Sequence, residues 1–239
     1  MFTNYIQRVI GIAKANLLAY LPLDEASGTA ALDASQNSRG GTYTGVTFVG
    51  TSVDGRLCPL WDAVADDLWL NAAFNTAFIG SAASTGSIMI WIKAVDADVW
   101  TDGTSRRCVY LVRDNSDQIT IARNATNDNL YGAHVSGGAT KVRAVNNIFS
   151  DAPTGWIQAV VTWDTTAGVN GQFLYYINGV QTGVTQTNIT TIAGNLSGNL
   201  IGNATADNQP WDGYLAHFAL WGGITLTAPQ VAYLYRGGL

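Results

Sequence analysis

Glutamate occurs once in this 239-residue chain, at Glu25, and lysine three times, at Lys14, Lys93 and Lys141. These two residues clothe most exposed helices, so a chain that nearly omits them is a poor candidate for a mostly helical fold. In their place stand 25 Thr, 18 Asn, 12 Ser, 26 Gly and 16 Asp, which favour strands, turns and loops. With 12% charged against 47% hydrophobic residues, a coiled coil and a disordered chain are excluded as well. The net charge of −5 argues against a phosphate-binding surface, so no nucleic acid partner is expected. No apolar run approaches the roughly 18 residues of a membrane span. The N-terminal residues lack the basic start and continuous apolar stretch of a signal peptide.

Residues 1–16 differ from the rest. Phe2, Tyr5, Ile6, Val9 and Ile10 recur at the spacing of one helical face. They predict a short amphipathic arm. An isolated helix of that length is marginal in water, so the arm is expected to dock, on a second copy of the chain or on a capsid or tail protein. Residues 17–239 read as one domain of short strands. Leu17–Leu23 and a single strand over 42–49 open it. Gly86–Lys93 and 156–163 are nearly continuous apolar runs, strands buried on both faces. Gln172–Ile177 runs into Asn178-Gly179, a pair suited to a type I′ hairpin. Gly213–Trp221 is the last strand, whose alternation places His217 on the face of Leu215. Thr227 and Pro229 then begin one short C-terminal helix. Cys58 and Cys108 are too few for a disulfide framework and read as buried free thiols.

Five segments carry a resemblance. They are LLAYLPLDEASGTAALDASQNSRGGTYTG from Leu17, LWDAVADDLWL at 60–70, GSIMIWIK from Gly86, GWIQAVVTWD at 155–164 followed by QFLYYINGV, and WDGYLAHFALWGGITLTAPQVAYLY from Trp211. In this order they resemble the laminin-G-like, concanavalin-A-like jelly-roll family, its bacterial and phage branch related to pentraxins. The resemblance covers residues 17–238 and implies an all-β, two-sheet antiparallel jelly-roll sandwich. It also implies calcium as the one candidate cofactor. The family often has Asp-Glu in the closing strand where this chain has Ala216 and His217. Of the six to eight oxygens the ion takes, Asp33 and the carbonyls around Arg39 to Gly41 remain.

The same fold hosts glycoside hydrolases, which need a pair of carboxylates at a set separation. Asp66 and Asp67 are adjacent and would point to opposite faces of a strand. Asp96, Asp98 and Glu25 read as loop acids. His134 and His217 do not have zinc spacing, and no nucleophile elbow is present. The residues therefore point to binding rather than catalysis. Aromatic rings beside planar polar groups suit sugars, and three loop groups offer them: Trp100 with Asp102, Tyr131 with Asn129 and His134, and Trp211 with Asp207, Asn208 and Asp212. The expectation is a non-catalytic surface protein of a bacteriophage virion, a decoration, fibre or tail component able to bind cell-surface glycans. A secreted, extracellular bacterial lectin module is the alternative, and a glycoside hydrolase ranks behind both.

Overall fold

The computed structural model describes residues 4–114, 116–125, 130–145, 153–204 and 209–238. The chain enters through α1 (Tyr5–Gly11) and a helical turn, Lys14–Asn16. It continues through β1 (Leu17–Leu21), β2 (Ala30–Ala31), β3 (Gly41–Thr44), β4 (Thr47–Thr51), β5 (Leu57–Asp62) and β6 (Asp67–Leu70). Helix α2 (Ala72–Ala77) and a wider turn, Phe78–Ala82, lead into β7 (Thr85–Ala94). Then come β8 (Arg106–Asp114), β9 (Asp117–Arg123), β10 (Leu130–Ser136), β11 (Ala139–Val145), β12 (Ile157–Asp164), β13 (Gln172–Ile177), β14 (Val180–Gln181), β15 (Gly198–Ile201), β16 (Asp212–Gly222) and α3 (Ala228–Gly237).

The strands form two antiparallel sheets of eight. The back sheet has the order β14-β13-β12-β7-β16-β5-β4, with β1 also paired to β16, and the front sheet the order β11-β10-β9-β8-β15-β6-β3-β2. Alternation builds the core between them: Ile88, Ile90 and Ile92 of β7, Val161 and Trp163 of β12, and Ile119 and Ile121 of β9 all face inward and are buried. The opposite residues of β7 and β12, Met89, Trp91 and Val160, are buried in a second apolar layer on the outside of the back sheet. That layer is closed by helices, with Tyr5 and Val9 of α1 and Val231 and Leu234 of α3 in it. The both-face burial read from the apolar runs thus has two partners, a facing sheet and a helical cover.

Local chemistry accounts for the connections. Asn178 and Gly179 take φ of 51° and 78°, the positive pair a type I′ turn needs. A Cβ on Gly179 would meet Ala232 and Tyr235 of α3 at 3.0–3.1 Å. The α3 start is fixed by Gln230 Oε1, which accepts from the Thr227 backbone at 2.8 Å, a reciprocal cap. Cys58 and Cys108 are buried and free, one in each apolar layer.

Four expectations are corrected. The single strand over 42–49 is two strands in different sheets, because Gly45 turns the chain at φ 79° between β3 and β4. Helix α2 is an addition: Asn71 Oδ1 caps it by accepting from Phe74 N at 3.0 Å, and Phe74 and Phe78 enter the inter-sheet core. His217 does not share the face of Leu215. The register of β16 against β7 shifts between Ala216 and Ala219, and His217 adopts φ 53°. This bulge sits where β16 exchanges β5 for β1 as its neighbour and turns the imidazole under α1, 4.6 Å from the Tyr5 ring. Finally, the N-terminal arm lies on its own sandwich. Tyr5 and Val9 are buried there, and Ile6 and Ile10 pack against the same cluster, so the apolar face read as a dock for another protein is covered by the chain itself. Phe2 lies outside the described residues.

Candidate functional site

Two of the three aromatic groups picked out from the sequence meet at one end of the sandwich. The Trp100 and Trp211 rings stand edge to face, 5.8 Å apart. Neither has an exposed face, since both are wholly buried. Their indole N–H groups donate to backbone carbonyls, Trp100 to Pro153 at 2.8 Å and Trp211 to Lys93 at 3.3 Å. The acids beside them are spent on arginines. Asp102 accepts from Arg106 at 2.5 Å and from Arg123 at 2.6 Å, and Asp212 lies 3.4 Å from Arg106. Arg123 also donates to the Trp100 carbonyl at 2.7 Å and to that of Thr104. Burial works against ionisation of Asp102, yet Arg106, the Thr104 backbone and Arg123 together hold its pKa below the usual carboxylate value. Asp212 is raised by burial despite Arg106. The group is an internal strut, and its reading as a sugar platform is corrected.

The third group divides. Strand alternation sends Tyr131 to the outer face of the front sheet and His134 to the inner face, where it lies 5.9 Å from the Phe173 ring. His134 is wholly buried, and burial alone lowers its pKa to about 4. The two cannot share a ligand, which corrects their pairing. Asn129, Asp207 and Asn208 lie outside the described residues. Asp33, the tentative calcium ligand, is turned onto backbone amides. Its Oδ1 accepts from Tyr20 N at 3.0 Å and Ser35 N at 2.9 Å, and its Oδ2 from Arg39 N at 2.9 Å. Three N–H dipoles aimed at a carboxylate organise a loop and oppose a cation at those oxygens, so these residues do not fit calcium there. Among the described residues, no three of His, Cys, Asp and Glu come together as a metal-binding group.

What sequence reasoning missed lies on the outer face of the front sheet. Cross-strand pairing sets Thr42, Trp69, Leu200, Tyr110, Thr120 and Ala133 in one row across six strands. A second row holds Arg107, Ala122 and Tyr131. The Arg107 guanidinium donates to the Tyr131 hydroxyl and lies 5.8 Å above the Tyr110 ring. Trp69 is 41% exposed, with Thr42 and Thr44 exposed on the neighbouring strand. Asp67 sits two residues from Trp69 on the same face. Burial raises its pKa, partly offset by hydrogen bonding to Thr44 and Trp69. The signal was present in Asp67-Leu68-Trp69-Leu70: with both leucines inward, alternation puts the acid and the indole outward. The apolar cluster on this face, Tyr110, Val112, Leu200 and Ala204, contains no helical residue, whereas the back sheet is roofed by two helices.

Comparison with known proteins agrees with this architecture. The receptor-binding domain of a botulinum neurotoxin C/D mosaic superposes with a TM-score of 0.69 at 15% identity, over 93% of this chain and 51% of that one. The binding domain of Paraclostridial Mosquitocidal Protein 1 gives 0.67 at 19% identity, over 93% and 52%. A structure of botulinum neurotoxin type C, whose cell entry depends on interaction with two ganglioside molecules, gives 0.66 at 15% identity, over 94% and 52%. The chain thus spans about half the length of these proteins, and at such identities the likeness is one of fold. No curated protein matches in sequence. The model of a laminin-G-type family matches residues 71–232, more than half of the chain, and with the two-sheet sandwich on the page the chain belongs to the concanavalin A-like lectin/glucanases superfamily.

Proposed function

We propose that this is a non-catalytic glycan-recognition domain whose ligand lies on the outer face of the front sheet, against Trp69. The observation that carries the reading is the contrast between the two outer faces: one is sealed by α1 and α3, while the other presents a 41% exposed indole among threonine hydroxyls and an acid. The C–H face of a pyranose is apolar and packs on an indole. Its hydroxyls find acceptors and donors in Asp67, Thr42 and Thr44. One similar structure is a toxin's receptor-binding domain, and another is of a toxin whose cell entry depends on gangliosides, which supports a sugar-bearing ligand. The acids considered for catalysis have structural employment, which supports a non-catalytic role. Glu25 accepts from Leu32 N and the Tyr43 hydroxyl at 2.7 and 2.8 Å, Asp96 from Asp98 N at 2.9 Å, and Asp66 from Asp62 N at 2.8 Å.

The test is a glycan array followed by titration of the best ligand. Trp69→Ala is expected to weaken binding at least ten-fold with the melting temperature within a degree or two, because an exposed ring adds little to the core. Binding unchanged by Trp69→Ala, or hydrolysis of the ligand abolished by Asp66→Asn or Asp67→Asn, overturns the reading. The setting we propose is the surface of a bacteriophage particle, supported by a polar surface almost free of Lys and Glu. Antibody labelling of intact particles tests it, and unlabelled particles overturn it.

A further inference from the structure

The helical turn after α1, the start of β1 and the loop between β2 and β3 enclose a half-open pocket of about 300 Å³. We propose that it is a second ligand site, built to take a carboxylate carried on a sugar-sized ring. This extends the glycan reading by naming an acidic sugar, but on different elements from Trp69. The pocket's charged lining residues are Lys14 and Arg39, two cations, with Ser35 and Asn37 as neutral polar residues and Ile10 and Leu17 as apolar wall. In a chain with 12 basic residues and a net charge of −5, two cations around one small concavity stand out. Neither enters an ion pair among the described residues. The nearby Asp33 carboxylate is turned onto three backbone amides and forms no ion pair with either side chain.

The loop is built to hold this geometry. Gln36 and Ser38 both take positive φ, 69° and 58°, an uncommon backbone for residues with a Cβ. Arg39 is folded back so that its guanidinium donates to the Leu18 carbonyl at 2.7 Å, leaving further N–H donors for a ligand. Asn37 Nδ2 is anchored on the Leu17 and Leu18 carbonyls at 3.0 and 3.1 Å. Lys14 is exposed and free to close on an anion. The volume is at the lower end of ligand pockets, suited to one ring and not to a chain of them. The polar and apolar walls match a ring with one charged and one hydrocarbon side.

The experiment is a nitrogen-15 NMR titration of the full chain with the methyl glycosides of N-acetylneuraminic acid and glucuronic acid, their methyl esters, and inorganic phosphate. One of the acids is expected to shift the amides of Lys14, Ser35 and Asn37. Its ester, which keeps the ring and loses the charge, is expected to bind about ten-fold or more weakly, the usual range for a lost charge-assisted hydrogen bond. Arg39→Gln also removes the Leu18 contact and can perturb the loop, so the diagnostic variant is Lys14→Gln. It should keep the parent spectrum and lose about ten-fold in affinity, while Trp69→Ala leaves this binding unchanged. The proposal is overturned by no binding of either acid, by equal binding of acid and ester, or by phosphate binding as tightly as the acid, which marks an unspecific anion site. Loss of binding with Trp69→Ala but not with Lys14→Gln overturns this site and leaves the front-sheet reading standing.

Discussion

The indole N–H of Trp91, in the middle of the back sheet, donates a 2.7 Å hydrogen bond to the hydroxyl of Tyr5 on α1, and the Tyr5 hydroxyl in turn lies 3.6 Å from the Met89 sulfur. Both residues are buried, and 86 positions separate them in sequence. Tyr5→Phe leaves the Trp91 N–H without its acceptor, a loss of about 1–3 kcal/mol for a buried donor. Tyr5→Ala removes the ring as well and is expected to cost about 3–5 kcal/mol. Urea unfolding followed by tryptophan fluorescence checks both. Deletion of residues 1–15 should destabilise the whole domain, because it uncovers Trp91, Met89 and Val160. A truncated domain with unchanged stability would show that α1 contributes no cover.

Asp102 joins Arg106 and Arg123, whose side chains are 6% and 0% exposed. Removing one partner of a buried pair costs more than the pair contributes, because the remaining charge is stranded. Asp102→Ala is expected to lower stability by about 3–5 kcal/mol, and Asp102→Asn by less, since an acceptor remains. The Asp102 pKa is held below its unfolded value, so its stabilisation is present above the ordinary carboxylate range and lost as pH falls below it. The destabilisation by Asp102→Asn should therefore shrink in strong acid. Equal effects of the substitution at pH 7 and pH 2 count against this account.

Gly45 and Asp66 meet where the chain passes from one sheet to the other. A Cβ on Gly45 would stand 2.0 Å from Asp66 Oδ1, and the φ of 79° already disfavours a side chain. Gly45→Ala is expected to cost about 2 kcal/mol or more. Asp66 is 2% exposed, and burial, with the neighbouring Asp62 carboxyl, pushes its pKa up to about 6. A raised pKa means that the protonated form suits the fold, so stability falls as pH rises from about 4 through 6. Asp66→Asn keeps an acceptor for Asp62 N and removes the charge. Its melting temperature should exceed the parent's at pH 7 and approach it below pH 4. A variant less stable than the parent at pH 7 contradicts the assignment.

The sandwich was legible in the sequence because its signals are local. The apolar run Gly86–Lys93, the Asn178-Gly179 pair and the Thr227 cap each specify their element within a few residues. The strand break at Gly45 was not legible, since an isolated glycine in an alternating run reads equally as a strand interior. The face of His217 was lost for a similar reason: a bulge inverts alternation without a residue signature. Trp100 and Trp211 show the limit for sites. An aromatic in a polar loop looks like a ligand platform until the arginines that bury its neighbours, Arg106 and Arg123, arrive from other strands. Trp69 could have been found from Asp67-Leu68-Trp69-Leu70, whose alternation has only one consistent orientation once both leucines are placed inward.

His134 shows how a polar side chain in the inter-sheet core shapes the pH range of the fold. It is wholly buried, and among the described residues neither ring nitrogen has a hydrogen-bond partner. Burial lowers its pKa to about 4, so the folded state holds it neutral, while the unfolded chain protonates it near its ordinary value of 6.5. The sign follows from that order: stability is fully present above about pH 6.5 and declines as pH falls toward 4. A displacement of this size corresponds to roughly 3 kcal/mol at the acid end. Even neutral, the imidazole carries unpaired polar atoms in an apolar layer. His134→Phe removes both costs and should pack against Phe173, though the larger ring tests the space available. His134→Leu is the smaller alternative. One of the two is expected to raise stability at pH 7 by about 1–2 kcal/mol and by more at pH 4.5, flattening the acid limb of the stability curve. The measurement is urea unfolding of parent and variants between pH 4 and 8. A parent curve flat across that range, or variants that keep the parent's acid slope, would show that another group sets the acid limit.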